Sequence, residues 1–156
     1  MKCISMLSIT VPHLLSRCEE AIFSAEGLLA AAKTSVADLV TVDGKISSKA
    51  LDREQRATHG LAWLATYVEA LRQMVRWGRA LEETKRFGDI EQLILLAGFA
   101  EYLAQLPGGI AMSQSEIARP YDMGLSDDEI GGFWSSAVSE LVKIGARIEV
   151  RAAIAD

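Results

Sequence analysis

Histidine is the side chain that most readily transfers a proton near neutral pH, and this sequence contains two, His13 and His59. His13 follows Pro12 at the start of a predicted helix, where we expect an exposed side chain. His59 precedes Gly60, one helical turn before Trp63. A histidine at such a helical position is more often structural than catalytic. We therefore assign neither histidine as a general base.

Metal binding is a second possible chemistry, which the acidic residues could support. A di-iron bundle needs several inward carboxylates with Glu-x-x-His spacing, and no glutamate here has a histidine three residues later. Glu19-Glu20 and Glu82-Glu83 are adjacent pairs, which point to different faces of a helix and indicate surface charge. Residues 127–129 are acidic and fall in a predicted first turn, where the helix dipole favours negative charge. The sequence thus predicts no metal site.

The two cysteines, Cys3 and Cys18, are too few for a disulfide framework or a thiolate zinc site. Cys18 falls on an apolar helical stripe, which predicts a small buried side chain. The N-terminal residues weakly resemble a signal peptide with a lipoprotein cleavage site at Cys18. Cleavage there needs a small residue at the preceding position, which Arg17 occupies. No run approaches the roughly 20 apolar residues that span a bilayer. We expect a cytoplasmic protein with free thiols and no membrane partner.

A phosphate-binding loop is not indicated. Pro107-Gly108-Gly109 lacks the lysine of a nucleotide loop and does not follow a predicted strand. The glycine pair predicts a tight chain reversal; the alternative is a loop laid against a partner surface.

Two groups of side chains could instead contact a partner. Three aromatic residues share one helical segment, where such a stripe is more often core but could supply interface hot spots. A polar run follows the Pro-Gly-Gly turn and could either bond across an interface or cap its own backbone. The candidate docking surface consists of Trp63, Tyr67, Trp77, Met112, Gln114, Glu116 and Arg119.

The composition fits one folded domain over residues 1–156. Half of the residues are apolar and only three are proline, which excludes a disordered chain. The net charge of −5, with basic residues scattered among carboxylates, argues against binding of nucleic acid.

Apolar residues at helical spacing predict the elements that hold these side chains. The first seam consists of Leu15, Cys18, Ile22, Ala25, Leu29, Ala32, Val36 and Leu39. It predicts a helix over about 12–41, and a second helix follows from a cap at Ser47 or Ser48 to about residue 87. Gly60 and Gly78 within that second helix predict close approach to another backbone.

Capping residues mark the later helices. Asp89 with Gln92 predicts a capping box that opens a third helix, which Pro107 stops. Ser113 or Ser115 could begin a short helix ended by Pro120, and Ser126 with Glu129 predicts the start of a last helix. These patterns predict an all-α fold, an antiparallel bundle of four main helices plus a short helix or turn.

Three segments carry a resemblance to a known family. They are HGLAWLATYVEALRQM at 59–74, FGDIEQLILLAGFAEYLAQLPGGIAMSQSEIARP at 87–120 and DMGL at 122–125. They resemble the helical N-terminal extension of bacterial methylsuccinyl-CoA dehydrogenases, in the flavin-dependent acyl-CoA dehydrogenase superfamily. The resemblance runs from about residue 43 to residue 125, roughly half of the chain, and the first and last predicted helices match only in pattern.

The resemblance implies a context rather than a chemistry of this chain. In the family, the downstream part binds FAD, positions a coenzyme A thioester and uses a glutamate to remove the α-proton as hydride passes to the flavin. The implied reaction oxidises (2S)-methylsuccinyl-CoA to mesaconyl-CoA in the ethylmalonyl-CoA pathway, with electrons leaving through electron-transfer flavoprotein. The extension is associated with closing over or narrowing the substrate region.

No segment of this chain resembles that machinery, so no catalytic, cofactor-binding or metal-ligating residue is assigned. The resemblance implies a non-catalytic domain that docks on an acyl-CoA dehydrogenase catalytic domain or subunit and forms a homo-oligomer. It leaves open whether the chain is part of a longer protein or free-standing. The alternatives are an independent helical interaction or dimerisation module and a carrier with an apolar pocket between helices.

Overall fold

The computed structural model describes residues 11–156 and confirms the all-α class. In chain order, the helices in this range are α1 (Leu14–Val40), α2 (Ser48–Arg53), α3 (Gln55–Glu83), α4 (Asp89–Gly108), α5 (Asp127–Gly132), α6 (Ser136–Gly145) and α7 (Ile148–Ala155). A 3₁₀ helix spans Pro120–Met123. Two small antiparallel sheets pair β1 (Thr41–Val42) with β2 (Lys45–Ile46) and β3 (Ile110–Ala111) with β4 (Ile117–Ala118).

Helices α1 and α3 lie antiparallel along one side of the bundle. Arg79 donates to Glu19, with Nη2 and Oε2 2.8 Å apart, and Arg72 Nε lies 2.8 Å from Glu26 Oε1. The two glutamates are seven residues apart on α1, and the two arginines are seven residues apart on α3. The earlier glutamate pairs with the later arginine, which is the order that antiparallel helices require. These partly exposed pairs align the helices more than they stabilise them, because exposed ion pairs contribute roughly 0.2–1 kcal/mol each.

Helix α4 is the central element, with α1, α3, α6 and α7 packed around it. Its side chains Leu96, Phe99 and Leu103 are buried in the main core. Helix α6 approaches the backbone of α4 closely at Gly145, where a built Cβ would lie 2.6 Å from the carbonyl oxygen of Leu96. The missing side chain thus sets the distance between α4 and α6.

The prediction of close backbone contact at Gly60 and Gly78 is wrong, although both glycines are tightly packed. A Cβ at Gly78 would lie 2.6 Å from Leu15 Cδ2, and a Cβ at Gly60 would lie 3.4 Å from Met123 Cγ. Both neighbours are side chains. The glycines therefore make room for apolar side chains from other elements.

The predicted second helix is interrupted. Ser47 caps α2 by accepting from Ala50 N at 3.3 Å, as predicted, but Glu54 adopts φ −99° and ψ 27° and separates α2 from α3. The break lets α2 pack against α1 and buries Ala50. Helical periodicity continues across Glu54 in the sequence, so this change of direction depends on tertiary packing.

The predicted capping box at Asp89 and Gln92 is also wrong by one residue. Gly88 is the N-cap, and its backbone N–H donates to Glu91 Oε2 at 3.0 Å. A glutamate carboxylate is a stronger acceptor than a glutamine amide. Asp89 instead occupies the first turn, where the helix dipole favours its charge. Pro107 lies in the last turn, and Gly109 then reverses the chain at φ 121°, as the glycine pair predicted.

The predicted last helix begins at its predicted cap but is divided into α5, α6 and α7. The Ser126 backbone N–H donates to Glu129 Oε2 at 2.8 Å, and Ser126 Oγ accepts from Glu129 N at 3.3 Å. Helix α5 ends at Gly132, and Ser135 then caps α6 by accepting from Val138 N at 3.3 Å. This second start buries Phe133.

Candidate functional site

The three aromatic residues of the candidate surface lie on one stripe of α3. Trp63, Tyr67 and Trp77 follow the same helical spacing as Ala70 and Met74 between them. This stripe borders the buried core seam of the same helix. Trp63 and Tyr67 are half-buried, whereas Trp77 is 40% exposed. The stripe is thus neither wholly core nor wholly exposed.

Hydrogen bonds fix the first two of these aromatic side chains. Trp63 Nε1 donates to His59 Nε2 at 3.1 Å, one helical turn earlier on α3. The Tyr67 hydroxyl donates to Gln105 Oε1 at 2.8 Å, and its ring centroid lies 4.5 Å from that of Tyr102. Burial, with a smaller contribution from Tyr102, raises the pKa of Tyr67. Both tyrosine and tryptophan are therefore held in place by neighbouring side chains.

The polar run after the Pro-Gly-Gly turn forms a hairpin, so the prediction of a short helix from Ser113 or Ser115 is wrong. The backbone N–H groups of Met112 and Ser113 both donate to the Glu116 carbonyl, at 2.9 and 3.2 Å. Strands β3 and β4 pair on either side of this turn, and Ile110 and Ala118 anchor it in the core. The backbone polar groups are thus satisfied across the hairpin. Of the candidate residues, Met112 is half-buried, and Gln114, Glu116 and Arg119 are exposed.

Asp122 ties this hairpin to the start of α3. The guanidinium of Arg56 contacts both of its carboxylate oxygens, at 3.1 and 3.2 Å. Asp122 Oδ2 also accepts from the Arg119 backbone N–H at 2.9 Å. Asp122 is the first residue of the DMGL segment that carries the family resemblance, and it holds the hairpin and α3 together.

Replacing Asp122 with alanine should loosen the hairpin and lower the free energy of unfolding by about 1–3 kcal/mol, because charge-assisted hydrogen bonds are lost. Urea unfolding followed by far-ultraviolet circular dichroism measures this change. Asp52→Ala, at an exposed position of α2, is the control and should change stability by less than about 0.5 kcal/mol. Equal effects of the two substitutions would contradict the assigned role of Asp122.

His59 connects the aromatic stripe to the hairpin. An open groove of about 630 Å³ is lined by Gln55, Arg56, Thr58, His59 and Glu116. We call the combined surface of Trp63, Tyr67, Met112, Gln114, Glu116 and Arg119 the hairpin face. Trp77 lies ten residues beyond Tyr67, about 15 Å along the helix, and belongs to a different region.

That second region is an apolar groove between α3 and α4. We call it the α3–α4 groove; it has a volume of about 320 Å³ and is lined by Gln73, Met74, Trp77, Ile94 and Leu95. Ile94 is 46% exposed, and Ile90, one turn earlier on α4, is 42% exposed. The apolar pattern of the sequence predicts α4 but does not identify an outward face. The available signal was the run of eight residues at 93–100 without a charged or polar side chain.

His59 lies beside the hairpin face, whereas the other histidine and the described cysteine lie apart from both surfaces. His13 is exposed at the start of α1, and Cys18 is buried within the core, as predicted; Cys3 lies outside the described residues. Within residues 11–156, no group of three or more His, Cys, Asp or Glu side chains could hold a metal ion. No helix in the same range is long and apolar enough to cross a membrane.

The Cys18 thiol should be unreactive while the protein is folded. Burial, and to a lesser extent Glu19, raises its pKa well above the ordinary value, so the reactive thiolate does not form near pH 8. In a Cys3→Ser variant, a disulfide reagent should label no thiol until denaturant is added, and then one per chain. Rapid labelling of the folded variant would contradict this burial.

The chain is similar to a curated enzyme over most of its length. It is 48% identical over 139 residues to (2S)-methylsuccinyl-CoA dehydrogenase from Cereibacter sphaeroides. The match covers 89% of this chain, which is more than the half identified from the quoted segments, and 25% of the relative. The chain thus spans about a quarter of the length of that enzyme. No protein-family model matches the chain.

Proposed function

We propose that this chain is a non-catalytic, N-terminal helical domain of an FAD-dependent acyl-CoA dehydrogenase that resembles methylsuccinyl-CoA dehydrogenase. In this proposal it docks on the catalytic part in the cytoplasm and shapes access of the acyl-CoA substrate. The similarity over 139 residues carries the proposal. The remaining three quarters of the relative would correspond to the part that performs the reaction.

The candidate surfaces support contact rather than FAD binding by this chain. FAD requires a deep pocket with donors available for its pyrophosphate. The α3–α4 groove is open and predominantly apolar, and Arg56 in the polar groove is already paired with Asp122. Neither groove thus supports FAD binding, and the proposal assigns the flavin and its chemistry to the catalytic part.

The hairpin face suits a role at the edge of a substrate channel. Its aromatic side chains are held by His59 and Gln105, and its backbone is fixed by strand pairing and by Asp122. A rigid surface can narrow a channel without a large entropy cost on docking. Exposed Gln114, Glu116 and Arg119 offer polar groups at its rim.

A chimeric enzyme tests the proposal. This chain replaces the matched quarter of the Cereibacter sphaeroides dehydrogenase, and the chimera is compared with the intact relative. We expect the chimera to retain flavin and to reduce an electron acceptor with methylsuccinyl-CoA. The ratio of kcat/KM values for methylsuccinyl-CoA and bulkier acyl-CoA thioesters reports on substrate access. The hairpin-face double variant Gln114→Ala/Glu116→Ala should change that ratio more than it changes the flavin content.

The 156-residue chain provides the complementary measurement. It should purify without a flavin absorption spectrum and without dehydrogenase activity. Flavin bound to this chain alone would overturn the proposal. A chimera that folds but neither retains flavin nor oxidises any acyl-CoA would also count against it.

The exposed α3–α4 groove favours one alternative, a free-standing module for protein–protein interaction or dimerisation. A module of this kind would form a stable homo-oligomer at micromolar concentration without a catalytic part. Sedimentation velocity of the purified chain separates the two functions. A dimer whose dissociation follows Trp77→Glu would favour the module, and a monomer over the same concentrations would favour the dehydrogenase domain.

A further inference from the structure

Helix α4 has more apolar surface than its neighbours cover. Residues 93–100 carry no charge, and apolar side chains occur on all sides of the helix. Helices with this pattern are normally surrounded by other elements. Here α1, α3, α6 and α7 cover most of α4, but Ile90 and Ile94 remain nearly half exposed.

The exposed side chains form one continuous feature with α3. Ile94 faces Met74 and Trp77 across the α3–α4 groove. Met74 also packs closely on α4, since a Cβ at Gly98 would lie 2.9 Å from its Sδ. The groove is thus a fixed depression between packed helices, and contiguous apolar surface of this kind commonly marks an interaction site.

The chemistry of the groove selects an aliphatic occupant. Gln73 and the Trp77 indole are its polar groups, and no charged side chain among residues 11–156 lines it. Its volume of about 320 Å³ is at the lower end of small-ligand pockets, and it is open to solvent. Such a depression suits a few aliphatic side chains projecting from a protein surface.

The exposed area argues for a tethered partner rather than a second copy. The exposed parts of Met74, Trp77, Ile90 and Ile94 sum to a few hundred Å², taking roughly 150–250 Å² for a whole large side chain. A stable complex between separate chains buries about 800 Å² on each partner. A covalently joined domain needs less area, because tethering raises the effective concentration.

We infer that the α3–α4 groove is the site at which this domain packs against an aliphatic surface of the acyl-CoA dehydrogenase part of its own polypeptide. This inference rests on the proposed function, in which the unmatched three quarters of the relative correspond to that part. The groove anchors the domain, and the hairpin face, about 15 Å away along α3, remains free to border the substrate.

Thiol accessibility in the chimeric enzyme tests the inference. Ile94→Cys is introduced with Cys3→Ser, both in the isolated chain and in the chimera, and mass spectrometry follows maleimide labelling of the peptide that carries the new thiol. Ile46→Cys, in β2 and 70% exposed, is the matched control. We expect labelling at position 94 to be slower in the chimera by at least about tenfold, and labelling at position 46 to be equal in both proteins.

The outcomes separate the inference from the proposed function. Equal labelling at position 94 in a chimera that retains flavin and activity would overturn the inference and leave the proposed function standing. A chimera without flavin and without protection would contradict both. Protection at position 94 that already occurs in the isolated chain and increases with its concentration would assign the groove to a second copy, which also overturns the inference. Circular dichroism of each variant confirms that the helices are retained.

Discussion

Phe99→Ala is expected to lower the free energy of unfolding by about 3–5 kcal/mol, the range for deleting a buried aromatic ring. Phe99 is fully buried at the centre of α4, so the substitution removes apolar contacts and leaves a cavity between α4 and its neighbours. This loss is a large part of the roughly 5–15 kcal/mol that stabilises a domain. Denaturant unfolding at 25 °C measures it.

Phe23→Ala is the matched control for this prediction. Phe23 lies on α1 and is 78% exposed, so the same substitution should change stability by less than about 0.5 kcal/mol. A loss below about 1 kcal/mol for Phe99→Ala, or equal losses for both variants, would contradict the central position of α4.

Gly145→Ala should destabilise the protein by about 1–3 kcal/mol, the usual cost of overpacking. The added Cβ would lie 2.6 Å from both the Leu96 carbonyl oxygen and the Ala100 Cβ, so α6 must move away from α4. This steric cost exceeds the gain of about 1 kcal/mol that alanine brings over glycine within a helix. Thermal unfolding measures the sign of the difference.

Gly27→Ala separates the steric effect from helix propensity. Gly27 is an exposed residue inside α1, and no heavy atom of the described part of the chain lies within 4 Å of a Cβ built there. The substitution should therefore stabilise the protein by about 0.5–1 kcal/mol. Stabilisation by both alanines would show that α4 and α6 are not in close contact.

Periodicity and capping residues predicted the local elements where a single pattern was available. The apolar seam of the first helix placed α1 within two residues at each end, because apolar side chains recur on one face along its 27 residues. Ser126 and Glu129 predicted the start of α5, since both hydrogen bonds of a capping box are local. The wrong cap at Asp89 arose where two overlapping pairs had the same spacing.

The hairpin at β3 and β4 illustrates what local patterns omit. Ser113 and Ser115 are typical helix caps, yet the segment is held by Ile110 and Ala118 in the core and by Arg56 and Asp122 outside it. Arg56 is 66 residues from Asp122 in the sequence, and the core around Ile110 and Ala118 is formed by side chains of other elements. No local spacing could therefore have identified the contacts that decide the conformation.

The candidate surface also combines features that the sequence predicts with features that only tertiary contacts decide. Residue types alone selected the aromatic and polar side chains, and long segments of sequence supported the resemblance that the 48% identity confirms. Their assignment to two regions required the structure. Trp77 joins Ile94 rather than Trp63 because the first half of α4 lies beside the second half of α3, whereas Tyr67 contacts the second half of α4. The individual periodicities of the helices do not contain this relation.

The amino-acid sequence by itself determined the helical class, the caps at Ser47 and Ser126 and most of the buried stripe of α1, because these depend on groups within a few residues of one another. Tertiary structure alone decided the break at Glu54, the hairpin after Gly109 and the exposure of Ile90 and Ile94. Each of these depends on which side chains from distant segments fill the space around a residue. The α3–α4 groove is thus a consequence of packing.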